Sequence, residues 1–295
     1  MSCGKVIDIN VPDSSRKIVL NSLIDPGNHV TISLTQSKSI LEDNILLTLE
    51  GADARLFEGD VLIGTFEYQE FDKYFLPDFY PSVGKDYKLV VNHPVLESIE
   101  AEISIPNTID IIDIDTSSSI GEWGQKAYQL DIGIDDPSNV KNYYALSITL
   151  TNRIYDWQNQ EFLDSTETYS SYLSAINDVE SEIGGNLLEN DLSFFVDDKL
   201  FFSDDIFAGQ GGNRELALEY FVYTHGDSVL VDVRLDHIDP SFYYYSISKE
   251  KYNRANGNPF AEPVQVYSNV QNGFGLLSSF SRTNREFAIF VEGNK

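Results

Sequence analysis

Apolar and polar residues alternate with a period of two along much of this chain. Val30, Ile32 and Leu34 alternate with Thr31 and Ser33. Tyr87, Leu89 and Val91 face one way, Asp86 and Lys88 the other. Ile99, Ala101, Ile103 and Ile105 stand against Ser98, Glu100, Glu102 and Ser104. One apolar face at this period predicts half-buried antiparallel strands. Turn signals separate them at Asp25-Pro26-Gly27, Glu58-Gly59-Asp60 and Pro81–Gly84. Short strands with such punctuation predict an immunoglobulin-like β-sandwich over 18–106, closed by Pro106-Asn107.

The rest, 107–295, reads as a larger antiparallel β domain, sandwich or barrel-like, with one or two short helices. Tyr128, Leu130, Ile132 and Ile134 alternate with polar residues, Asp135–Ser138 turns the chain, and Tyr144, Leu146, Ile148 and Leu150 alternate again. This predicts a hairpin of long strands. Tyr172, Ile176, Val179 and Ile183 recur at helical spacing and predict a helix near 170–183, stopped by Gly184-Gly185-Asn186. Strands resume at 200–202, 217–223 and 229–235. Asp239-Pro240 is a helix start, an N-cap aspartate with proline at the first helical position. The helix is expected over 240–254, with Tyr243, Tyr244 and Ile247 on one side. Two last strands are expected near 264–268 and 286–292.

Composition agrees. Among 295 residues there are 17 Tyr and 18 Phe but one Met, which favours strands. With 20 basic and 47 acidic residues the net charge is −27. Such a surface repels phosphate backbones and lacks a polybasic membrane patch, while remaining compatible with cations or basic peptides. A single cysteine excludes an internal disulfide framework and a Cys-rich zinc site. No apolar run approaches the ~18–20 residues of a membrane-spanning helix.

That cysteine is Cys3, after Ser2 and ahead of the polar stretch Gly4–Lys17. Two readings stand. Ser2-Cys3 is the end of a bacterial lipobox whose leader is missing, so that Cys3 is the lipidation site and 1–17 a tether. Alternatively, it is a plain thiol.

Motifs for chemistry are sparse. There is no GxSxG, and His29, His93, His225 and His237 sit in no pattern that marks a base. Gly209-Gln210-Gly211-Gly212 has the wrong spacing for a phosphate loop. HExxH is absent. Asp113-x-Asp115-x-Ser117 starts like a calcium loop but has Ser118 and Gly124 where glycine and glutamate belong. The acid pairs Asp135-Asp136, Asp197-Asp198 and Asp204-Asp205 read as turns, or as loop carboxylates open to calcium. Trp123, Trp157, Tyr155 and Tyr243–Tyr245 read as core, or as stacking surfaces for sugars. A hydrolase would need convergent acids that no spacing reveals. No catalytic residue, metal ligand or cofactor is assigned, and ligand-binding residues stay undefined.

Three stretches resemble one family. They are Cys3 with Val6–Ile9 and Ile18–Ile24; Asp135-Asp136-Pro137 leading to Asn142-Tyr143-Tyr144; and Asn258–Val264 with Val266–Val270 and Asn272-Gly273-Phe274-Gly275. In this order they resemble the Bacteroidota lipoprotein family known as domain of unknown function 4249. The resemblance implies an exported outer-membrane lipoprotein, acylated on Cys3, non-enzymatic, and an accessory to a TonB-dependent transporter in nutrient uptake. It implies no catalytic residues. Gly4-Lys5-Val6 lacks the acidic run that often directs such proteins outward, so the membrane face stays open. The alternative function is a carbohydrate- or peptide-binding module independent of a transporter. Within the third stretch, Phe260, Tyr267 and Phe274 are expected to plug the core.

Overall fold

The computed structural model describes residues 15–39, 42, 46–120, 126–137, 140–156, 158–168, 174–175, 193–196, 199–207, 214–221, 228–256 and 261–290. It is built mostly of β-strands. The strands before Pro106 are β1 (Ile18–Ile24), β2 (Thr31–Gln36), β3 (Asp53–Glu58), β4 (Val61–Thr65), β5 (Glu67–Tyr68), β6 (Lys73–Phe75), β7 (Asp86–Asn92) and β8 (Ile99–Ser104). Next come β9 (Ile111–Ile120), β10 (Lys126–Ile134), β11 (Tyr143–Asp156), β12 (Glu161–Thr168), β13 (Ser174–Ala175), β14 (Ser193–Val196) and β15 (Lys199–Ser203). A 3-10 turn at Asp204–Phe207 leads to β16 (Arg214–Phe221) and β17 (Ser228–Ile238), then helix α1 (Pro240–Ala255) and β18 (Phe274–Phe290).

One long sheet runs β14-β15-β11-β17-β18-β1-β2-β6-β5, with β12 also on β11. Two four-stranded sheets, β4-β3-β7-β8 and β13-β16-β10-β9, complete the set. All three are open rather than closed barrels. The first small sheet packs on the β1-β2-β6 part of the long one, where Leu20, Leu34 and Tyr74 meet Leu56, Leu89 and Ala101. The second packs on the β11-β17 part, where Leu130 and Ile132 meet Leu146, Ile148, Val231 and Val233. Two β-sandwich cores therefore share one sheet, and β18 joins them. The 106/107 division is one of chain order, because strands from both sides of it lie in the long sheet.

β18 pairs parallel with β1, the one parallel ladder among the described residues, and antiparallel with β17 along its later part. The entry to β18 explains the glycines of Asn272-Gly273-Phe274-Gly275. A side chain at Gly273 would come within 2.7 Å of both Ile18 O and Ile99 Cγ2. At Gly275 it would overlap the Leu20 carbonyl oxygen, and φ there is +108°. Two of the stretches that carried the resemblance, Ile18–Ile24 and Asn272–Gly275, are thus neighbours in one ladder.

Several expectations change. β10 and β11 do not form a hairpin. β10 pairs with β9 and β16, while β11 pairs with β12, β15 and β17. The turn at 135–137 carries the chain from one sheet to the facing one, because the apolar faces of the two strands meet across the core rather than edge to edge. The strand expected at 264–268 is irregular, and the last strand begins at Phe274. The helix near 170–183 lies outside the described residues except Ser174–Ala175, which pair with Glu219 and Leu218 of β16. No helix among the described residues is long and apolar enough to cross a membrane.

The turn between β5 and β6 puts Phe71 at φ +52°. A non-glycine residue there costs of order 1 kcal/mol, and its exposed ring recovers little by packing. Phe71→Gly is therefore expected to stabilise the fold by about 0.5–1 kcal/mol, read as a higher urea midpoint at unchanged slope. A lower midpoint would mean that the ring packs in a way its exposure conceals.

Candidate functional site

The region around α1 gathers most of the unusual chemistry. The helix starts where the sequence predicts. Asp239 caps it, its Oδ1 accepting from Ser241 N at 2.8 Å. The same carboxylate reaches β18, where Oδ2 accepts from Ser279 N at 2.6 Å, while Asp239 N donates to Ser279 O at 3.1 Å. Two residues earlier the Asn269 side chain imitates a strand, accepting from Leu277 N at 3.0 Å and donating to Leu277 O at 2.7 Å. Together they satisfy the edge of β18 that faces away from β1, before β17 takes it over at Phe280. Further along the loop, Tyr267 N donates to Ser248 Oγ of α1, and Gln271 N donates to Glu100 O. The stretch 261–273 is thus held to the helix and to both sheets of the first sandwich.

Asp239 is almost fully buried, and that desolvation raises its pKa to about 6 against the pull of the N–H donors from Ser279 and Ser241. The folded state then holds a proton that the unfolded state releases between roughly pH 4 and 6. Stability from this group is present below the unfolded pKa and is lost as pH rises through 6, by up to about 3 kcal/mol. Asp239→Asn should remove that slope. Thermal melts of both proteins at pH 4.5 and 7.5 test this, and an unchanged wild-type-minus-variant difference contradicts it.

Beside the helix lies a tyrosine surface. Tyr143 at the start of β11 meets Tyr243 and Tyr244 with ring centroids 4.6 and 5.6 Å away, and Tyr267 meets Tyr244 at 5.8 Å. The hydroxyls of Tyr143 and Tyr244 are 2.7 Å apart. Burial first, then this hydrogen bond, raises the Tyr143 phenol well above its usual range. The helix does not bury Tyr243 and Tyr244 alike: Tyr243 is buried with Ile238 and Phe280, whereas Tyr244 is exposed. Tyr267 and Phe274 are also exposed rather than core plugs, since the loop spends its backbone on the helix and the β18 edge and turns these rings outward.

The second stretch of resemblance is a buried network. Asp136 accepts from Asn142 Nδ2 at 2.9 Å and from the Tyr144 hydroxyl. Burial raises the Tyr144 phenol far above its usual range, so it stays a donor. Lys141 forms ion pairs with Asp204, at 2.9 Å, and with Asp205. The hydrogen bond from Lys141 holds Asp205 below the usual carboxylate range. Asp136, Asp204 and Asp205 are thus engaged by protein groups.

Asp113 and Asp115 lie in strand β9, not in a loop. His237 Nδ1 donates to Asn107 O at 2.7 Å, and burial lowers its pKa. Among the described residues no group of three or more His, Cys, Asp or Glu is placed to hold a metal ion. Cys3, Trp123, Trp157, Asp197-Asp198 and His225 lie outside the described residues, as does the side chain of Tyr155.

A family model described as "Domain of unknown function (DUF4249)" matches residues 5–286. The chain belongs to the DUF4249 family. No curated protein matches the sequence. The DUF4249 match takes in both sandwiches, α1 and nearly all of β18, so the parallel β1–β18 closure lies within the family's own span.

Proposed function

We propose that this chain is a non-enzymatic component of a bacterial cell envelope, attached to an outer membrane through acylated Cys3 and acting beside a TonB-dependent transporter in nutrient uptake. The observation that carries this reading is the place of the lone cysteine. Cys3 stands just ahead of the DUF4249 match that starts at residue 5, with the polar stretch Gly4–Lys17 between it and β1. Acyl chains on that thiol would hold the protein in the membrane plane and raise its effective concentration near a transporter. In a Bacteroidota host, an alkyne-tagged fatty acid should label the native precursor and not Cys3→Ala, and a transporter should co-purify from native membranes. Equal labelling of both proteins, or of neither, rejects the anchor; a protein that runs alone in every detergent rejects the transporter partnership.

A second reading rests on the tyrosine surface. The exposed rings of Tyr244 and Tyr267, backed by Tyr143, suit stacking against a sugar or a peptide. Fluorescence titration with neutral glycans and with basic peptides tests this. Saturable binding lost in Tyr244→Ala supports it, and silence across both panels removes it.

A further inference from the structure

The chain enters β18 through an Asn-Gly pair, Asn272-Gly273. Asn272 is exposed and takes φ +61°, a left-handed conformation that asparagine visits more readily than most other non-glycine residues. The next residue has no side chain, so nothing shields its backbone nitrogen. Lys17 Nζ donates to the Asn272 carbonyl oxygen at 3.3 Å, which leaves the side-chain amide unused. No described residue hydrogen-bonds that side chain or the Gly273 N–H. Other asparagines are held. Asn28 Nδ2 donates to Asp25 at 2.7 Å, Asn142 Nδ2 to Asp136 and to Val140 O at 2.9 Å each, and Asn269 is bound to Leu277 through both ends of its amide. They precede His29, Tyr143 and Val270, whose side chains crowd the nitrogen that glycine leaves open.

We infer that Asn272 is a site of spontaneous covalent modification, deamidating in the folded protein through a cyclic imide with Gly273. The Gly273 nitrogen attacks Asn272 Cγ. The new C–N bond closes the ring, and the side-chain nitrogen leaves as ammonia with the proton that Gly273 gives up. Water then opens the ring. Breaking the newly formed bond yields aspartate on an unchanged chain. Breaking the original peptide bond yields isoaspartate, in which the chain runs through the former side chain and is one carbon longer. Water is consumed and ammonia released, with no oxidant or cofactor. Nothing in this chemistry needs Cys3 acylation or a transporter.

The surroundings decide what each product does. Gln271 N donates to Glu100 O at 2.8 Å, and Phe274 pairs with Val19, so the chain is fixed on both sides of the pair. Between them Gly273 is hemmed in by Ile18 O and Ile99 Cγ2. An extra backbone carbon cannot enter without moving one of these contacts, and the parallel β1–β18 ladder begins at Phe274. Isoaspartate therefore loosens the closure that joins the two sandwiches. Aspartate keeps the chain length and places its charge at an exposed position near Lys17, so it leaves the ladder intact. The closure of the fold becomes sensitive to the age of the molecule.

The full chain is aged at mildly alkaline pH, native and unfolded in urea, then digested with trypsin. Fragment-ion sequencing follows each asparagine separately, and an isoaspartate methyltransferase with a labelled methyl donor marks isoaspartate. The expected result is that native protein loses the Asn272 amide at a rate comparable with the unfolded chain, and well before Asn28, Asn142 and Asn269. The isoaspartate-bearing native fraction should show a lower urea midpoint. Asn272→Gly, which suits the same φ, should abolish the loss of midpoint on ageing, and Asn272→Asp should keep the midpoint of fresh protein. Native protein that retains the Asn272 amide while the unfolded chain loses it overturns the inference. An equal loss of midpoint in aged Asn272→Gly, or an isoaspartate-bearing fraction as stable as fresh protein, overturns the consequence drawn for the ladder.

Discussion

Gly275→Ala should abolish cooperative folding. A Cβ at this position would overlap the Leu20 carbonyl oxygen and crowd the Leu20 nitrogen as well. Both are backbone atoms of the neighbouring strand, so no rotamer change relieves the clash. β18 would have to move off β1 over the ladder from Val19–Phe274 to Ile24–Ser279. That ladder joins the two sandwiches and lies beside the buried residues Leu20 and Leu277. The backbone also holds φ +108° here, outside what alanine adopts. The expected loss exceeds about 4 kcal/mol, the range reserved for clashes and strain in a core. Loss of the near-UV dichroism signal and of a single urea transition would report it. Gly27→Ala is the comparison: φ is +85° but nothing lies within 4 Å of the added carbon, so strain alone should cost about 1 kcal/mol. Similar costs at both sites would show that the close approach to Leu20 is unimportant.

Asp236→Ala should be the next most damaging change. The Asp236 carboxylate is buried and holds two cations. Arg282 donates through Nε at 2.6 Å and through its terminal nitrogen at 2.9 Å, and Lys199 donates at 2.8 Å. These contacts link β15, β17 and β18 across the long sheet. Hydrogen bonding to Asp236 also raises the Arg282 guanidinium further above its usual range. Removing the carboxylate leaves both partly buried cations without their shared partner. Breaking such a pair costs about 3–5 kcal/mol; partial exposure of Lys199 and Arg282 puts the expectation near 3 kcal/mol. The deficit should shrink as salt rises, because the exposed side of each cation is screened. A loss below about 1 kcal/mol, or one indifferent to salt, would mean that solvent already carries these charges.

The two substitutions differ in how readily the sequence announces them. The double glycine spacing of Asn272–Gly275 is visible as a turn signal, but that Gly275 touches Leu20 is not. Nothing within a few residues of either strand states that the last strand lies parallel to the first. Asp236 reads simply as the polar partner of Leu235 in an alternating strand. Its buried role appears only once β15 and β18 bring Lys199 and Arg282 beside it. Asn269, which stitches the loop to β18, carried no signal beyond being polar in an irregular stretch.

The sequence was most informative where one physical cause acts locally. Alternation at period two placed the strands around Ile32, Leu89, Ala101, Leu130, Ile148 and Val231, because an apolar face must be buried whatever it packs against. Asp239-Pro240 placed the helix start, because capping is decided within a few residues. The mostly β class followed from these alone. The parts of the candidate site were less legible. The exposed rings of Tyr244 and Tyr267 look the same in sequence as the buried ring of Tyr243. The 135–137 turn looks like a hairpin, although it crosses between sheets.

Those distinctions depend on partners distant in sequence. Which strands pair and which aromatic ring is covered are properties of the assembled ladders. Periodicity determines that a residue faces inward or outward on its own strand; only the tertiary structure decides what it then meets, because burial is set by the surface that arrives from elsewhere in the chain.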